Sequence, residues 1–131
     1  MSCVLRVSGR DFDVDSFLNE SPLKPLVVSH RGEQQYPGSR VEEQSGMNLS
    51  VSEREFSDLP GQIEDAVRFL KQNAKELERL RDFQGVEWIA LDFPVQDRDV
   101  AVQRDTFPPE LMSLLGTLRI SLAISRYPPP S

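Results

Sequence analysis

SDLPGQIEDAVRFLKQNAKELERLRDFQG, residues 57–85, reads as one long amphipathic helix. Ile63, Val67, Leu70, Ala74, Leu77 and Leu80 recur at three- and four-residue steps, so they share one face of a 3.6-residue period. Glu64, Lys71, Lys75, Glu78 and Arg79 take the other side. Ser57 or Asp58 supplies a start cap, Pro60 suits a first turn, and Gly85 suits the residue just past the end. A helix over residues 60–83 would be about 36 Å long. A single domain of 131 residues has a radius of gyration of about 14 Å. Such a helix spans the domain and needs a sheet to pack on.

The flanking sequence supplies short strands. Residues 3–8 place Cys3, Leu5 and Val7 on one face, and Gly9 ends the run. Val14, Phe17 and Leu18 predict a short helix over about 14–20, broken by Ser21-Pro22. Residues 25–30 predict a second strand, with Pro25 at its start or on an edge. Met47, Leu49 and Val51 alternate with polar residues in a third. Residues 86–95 predict a fourth strand, apolar on both faces through Trp88, Ala90, Ile89, Leu91 and Phe93, and therefore central. Pro108-Pro109-Glu110 opens a short helix that Gly116 stops after Leu115. Leu118, Ile120, Leu122 and Ile124 alternate in a last strand, and residues 127–131 form an extended tail. The expected fold is one α+β domain: a mostly antiparallel five-stranded sheet with one long helix on one face and two short helices. Its element order is ferredoxin-like with an added helix–strand unit.

Composition narrows function by exclusion. A net charge of −6 disfavours nucleic acid and anionic membranes, whose binding is driven by Lys and Arg. One cysteine, Cys3, excludes an intramolecular disulfide and a multi-cysteine metal site. No apolar run approaches the roughly 20 residues of a membrane span, and the first residues lack a secretory pattern; a cytoplasmic protein is expected. No glycine-rich phosphate cradle, nucleophile elbow or His–Glu metal motif is present. No cofactor is expected.

The candidate chemistry is sparse. Asp11, Asp13 and Asp15 alternate like the start of a calcium loop, but Ser16 and Pro22 stand where a glycine and a bidentate Glu belong, so a turn with a helix cap is the expectation. His30 is the only histidine, with Glu33 and Glu43 as possible neighbours for general-base chemistry. Asp97, Arg98, Asp99, Arg104 and Asp105 read as local surface ion pairs. The 31–46 segment is polar and long for a loop, hence functional or mobile. Within it Arg31, Glu33, Tyr36, Arg40, Glu42 and Glu43 combine an aromatic with both charge signs, as recognition surfaces do.

Several short motifs resemble the uncharacterised bacterial domain-of-unknown-function family numbered 4279. They are Val7-Ser8-Gly9-Arg10-Asp11-Phe12-Asp13, Arg31-Gly32-Glu33, Ser45-Gly46-Met47-Asn48-Leu49-Ser50 and Pro109-Glu110-Leu111-Met112-Ser113-Leu114-Leu115-Gly116. Met47 stands where the family often carries an aromatic. The resemblance implies a small soluble domain without an assigned reaction and carries over no functional residues.

Two functional expectations follow. The first is a non-catalytic acidic interaction protein, of the immunity or inhibitor type, that meets a basic partner protein by electrostatic steering. The alternative is a small-molecule-binding or enzymatic domain with a site near His30 and the 31–46 loop. A homodimer through the last strand is compatible with either, since an edge strand offers unpaired backbone groups.

Overall fold

The computed structural model describes residues 2–129. The elements run β1 (Val4–Gly9), α1 (Val14–Asn19), β2 (Val27–Ser29), β3 (Ser45–Ser50), α2 (Leu59–Gln72), α3 (Ala74–Arg81), β4 (Trp88–Gln96), α4 (Pro109–Leu118) and β5 (Ser121–Tyr127). The expected tail begins at Tyr127, which is still in β5, and its Pro130 and Ser131 lie outside the described residues.

Five strands form one sheet in the order β2-β3-β1-β4-β5. The sheet is mixed, which corrects the mostly antiparallel expectation. β1 pairs antiparallel with β3 and β4, and β2 with β3, but β4 and β5 run parallel. The reason is connectivity: α4 carries the chain back across the sheet between β4 and β5, and a strand–helix–strand crossover returns the second strand in the same direction.

The long helix is also corrected. It is two helices, α2 and α3, interrupted at Asn73, whose φ and ψ of −111° and 16° leave the helical well. The Asn73 side-chain amide donates to the Phe69 carbonyl at 2.9 Å, and its backbone N–H reaches the same oxygen at 3.0 Å. A local side-chain bond of this kind competes with the helical ladder. The apolar stripe nonetheless holds its face: Ile63, Leu70, Leu77 and Leu80 are buried, and Val67 and Ala74 are half-buried. Asp58 is the cap, accepting from the Gly61 N–H at 2.9 Å. Gly85 does not end the helix, which stops at Arg81. It sits at φ 91° in the turn into β4, and its carbonyl lies so close to Gly9 that a side chain there would collide with it.

Three further boundaries move. α4 runs through Gly116 to Leu118 and ends where Arg119 takes the left-handed conformation at φ 56°. Leu118 and Ile120 are buried ahead of β5 rather than within it. Ser45 and Gly46 belong to β3, opposite Gly9 and Ser8, not to the preceding loop.

Register makes the two faces of the sheet unlike. Leu5 faces Leu49 and Leu91, and Val7 faces Met47 and Ile89. These side chains join the buried residues of the helices, Phe17, Leu70, Leu77, Leu80, Leu111 and Leu115 among them, in one core. The alternate residues Val4, Arg6 and Ser8 of β1 point the other way. Edge-to-face contacts among Phe12, Phe17 and Phe83, and the Arg79 guanidinium 4.0 Å over the Phe17 ring, hold α1 in place. No helix among the described residues is long and apolar enough to cross a membrane.

Candidate functional site

The long loop begins where β2 ends. Arg31 and Gly32 form a turn in which Gly32 has φ 88° and the Glu33 N–H donates to the His30 carbonyl at 3.1 Å. The chain then folds back on itself. Gly32 N–H donates to the Glu42 carbonyl at 2.8 Å, and Glu42 N–H donates to the Glu33 carbonyl at 2.9 Å, which extends the β2–β3 pairing beyond the sheet. At the tip, Tyr36-Pro37-Gly38-Ser39 closes a turn by a 3.0 Å bond from Ser39 N–H to the Tyr36 carbonyl. Proline second and glycine third, with Gly38 at φ 87°, is the residue pattern a type II turn requires.

Polar side-chain contacts tie the base of this loop to the start of α1. His30 Nε2 lies 3.0 Å from Asp15 Oδ2, and its Nδ1 lies 3.4 Å from Glu33 Oε2. Arg31 donates through Nη1 to Asp11 Oδ1 at 3.2 Å, and its backbone N–H donates to the Ser45 hydroxyl at 2.9 Å. The three aspartates therefore have three separate uses. Asp11 pairs with Arg31 and Asp15 with His30. Asp13 caps α1, accepting from the Ser16 N–H at 3.1 Å and the Ser16 hydroxyl at 2.7 Å, and these bonds lower its pKa. Among the described residues no group of three His, Cys, Asp or Glu side chains is placed to hold a metal ion.

Of the loop residues singled out in the sequence, Arg31 and Glu33 belong to this anchored base. Tyr36 stands 66% exposed at the tip. Arg40 and Glu43 are exposed, and half-buried Glu42 bonds through its backbone. His30, Glu33, Gln35 and Glu42 border a hollow of about 400 Å³ beside β2. His30 thus has Glu33 as a neighbour, together with Asp15, which the sequence left unconnected.

The remaining candidates have structural roles. Cys3 is fully buried, and burial, reinforced by the carboxylates of Asp92 and Asp65, pushes its thiol pKa far up, away from reactive thiolate. Arg98 pairs with Asp105 at 3.2 Å, and Arg126 reaches back from β5 to Asp97 at 2.8 Å.

Sequence reading missed the open face of the sheet. There Asp92 on β4 is only 6% exposed. It accepts from Arg6 Nε on β1 at 2.8 Å and from the Ser125 hydroxyl on β5 at 2.8 and 2.9 Å. The Asn48 amide of β3, oriented to satisfy both of its ends, accepts from Arg6 Nη1 at 3.2 Å and donates to the Met47 carbonyl at 3.1 Å. Four strands thus contribute to one polar chain. Arg6 borders two concavities, one of about 390 Å³ toward Tyr127 and one of about 210 Å³ toward Trp88. No helical residue lines either hollow. The only sequence hints were an arginine in an otherwise apolar first strand and an aspartate inside a buried fourth one.

Residues 1–129 match the model of the family described as Domain of unknown function (DUF4279), and the chain belongs to that family. No curated protein and no solved structure matches the chain.

Proposed function

We propose that the protein is a non-catalytic binding domain that engages a basic partner protein through the loop between β2 and β3, acting as an inhibitor-type or immunity-like protein. The observation that carries this reading is the construction of the loop. Its base is fastened by Asp11–Arg31 and Asp15–His30–Glu33, while its tip presents Tyr36 in a turn. An aromatic on a prefolded tip loses little conformational entropy on binding, which favours it as an anchor. In the loop and the start of α1 to which it is fastened, Asp11, Asp13, Asp15, Glu33, Glu42 and Glu43 outnumber Arg31 and Arg40, in keeping with the net charge of −6. Such a surface steers a basic partner and makes the association rate fall with salt.

The test is a capture experiment from lysate of the source organism at low and high salt, with Tyr36→Ala and Glu42→Gln/Glu43→Gln run alongside the parent protein. One stoichiometric partner, lost in Tyr36→Ala and weakened by salt and by the double variant, supports the reading. A partner held equally by all three proteins removes the loop from the interface. No captured protein at either salt counts against a protein partner.

A further inference from the structure

We propose that the open sheet face binds a small molecule bearing one carboxylate, which docks on the free fork of Arg6. The site is separate from the loop assigned to a partner protein and rests on different residues.

An arginine carries five N–H donors in a fixed plane. On Arg6, Nε is taken by Asp92 and one N–H of Nη1 by Asn48. Nη2 keeps both of its N–H donors and Nη1 keeps one, with no partner among the described residues. The Arg6 side chain is 39% exposed and borders both concavities, while the Asp92 side chain that holds it is only 8% exposed. A carboxylate buried to that degree against an arginine is a poor investment for stability alone, because desolvation offsets most of the attraction. It does fix the guanidinium in one orientation, and Ser125 and Asn48 fix it further. A pre-set planar fork recognises a carboxylate through two parallel hydrogen bonds.

The surroundings choose among anions. The other arginine at the cavity, Arg54, already lies 3.6 Å from Asp58 and 3.4 Å from Asp65, and Glu53 sits on the same rim. Arg54 is thus shared by two carboxylates and Glu53 adds a third, so only the free donors of Arg6 are left to hold an anion, which suits a single negative charge and repels a phosphate dianion. Val4, Leu26 and Tyr127 supply apolar wall, and the space of about 390 Å³ suits a metabolite-sized body rather than a protein surface. The ligand is therefore a small organic acid with a short apolar body, either a simple carboxylic acid or an α-amino acid whose ammonium would meet Glu53.

Nitrogen-15 NMR titration of the full chain tests this, following the Arg6 Nε–H signal and the backbone amides of β1, β3 and β4. The probes are 4-methylpentanoate, phenylacetate, L-leucine, leucinol and inorganic phosphate. Saturable shifts at Arg6 with at least one of the three carboxylates, and none with leucinol or phosphate, are the expected result. L-Leucine binding tighter than 4-methylpentanoate identifies an amino acid; the reverse identifies a simple acid. Arg6→Lys keeps the charge and loses the fork, so it should weaken binding about tenfold or more. Leu26→Ala, at an exposed wall position, should weaken it with the spectrum otherwise intact. Absence of saturation with all three carboxylates, equal binding of phosphate, or unchanged affinity in a folded Arg6→Lys protein would each overturn the proposal.

Discussion

The two faces of the sheet are built from the same strands by the same alternation, yet they do opposite things. On the covered face, Leu5, Leu49 and Leu91 meet the helices and are almost wholly dry. Next to each of them in the strand, on the other face, Arg6, Asn48 and Asp92 form a hydrogen-bonded chain instead. The covered face is held by area removed from water, which is non-directional and tolerant of exchange. The open face is held by a few directional bonds, and these specify where one charged group points. Stability should therefore reside mainly on the first face and recognition on the second.

The largest effect should come from the covered face. Leu91→Ala empties a fully buried position in a central strand, and urea denaturation should show a loss of about 2–5 kcal/mol. A loss under 1 kcal/mol would mean that the core collapses onto the gap and that burial there matters less than the contrast requires.

On the open face, Asp92→Ala strands Arg6 without its counter-ion. A fully buried pair broken this way costs about 3–5 kcal/mol, and the partial exposure of Arg6 reduces the expected loss to about 2 kcal/mol. Replacing both partners, as Arg6→Met with Asp92→Leu, should recover most of that stability in the same denaturation assay. That recovery would separate the orienting role of the pair from any stabilising one; failure to recover would make the network a structural element like the core.

Smaller effects test how the covering layer is held. Asp58→Ala removes the α2 cap and should cost about 1 kcal/mol by thermal or urea unfolding. The acid limb of stability reads a further group. Asp65 has its pKa lowered, chiefly by the Ser52 hydroxyl donating at 2.7 Å, with Arg68 and Arg54 adding to it. A lowered carboxylate stabilises the fold in full above the ordinary aspartate pKa of 3.8, and this contribution is lost as pH falls through the lowered value. The gap in urea midpoint between the parent protein and Asp65→Asn should accordingly be constant from neutral pH down to about 5 and close below about 4. A gap independent of pH would show that the variant acts through packing.

Some of this was legible in the residues and some was not. The alternation of Leu5 and Val7, and of Met47 and Leu49, announced strands and their buried face. The stripe from Ile63 to Leu80 announced a helical layer and the side it buries. Asn73 hid the break, because a single polar residue on a helical stripe leaves the periodicity unchanged while its side chain competes for the backbone. The sheet's mixed character was encoded in the order strand, helix, strand at the C-terminal end, a unit that favours parallel neighbours. Asp13 was recognisable as a cap because capping is local, three residues from donor to acceptor.

The sequence alone determined what depends on near neighbours: where helices and strands fall, which residues are apolar and face inward, the helix N-caps at Asp13 and Asp58, and the motifs that mark the family. The tertiary structure decided what depends on strand order. Arg6 and Asp92 are 86 positions apart, Asp92 and Ser125 are 33 apart, and His30 and Asp15 are 15 apart. Periodicity fixes the face on which a side chain emerges but carries no information about which strand lies beside it. Only the β2-β3-β1-β4-β5 arrangement turned isolated polar residues into an anchored loop and an oriented arginine.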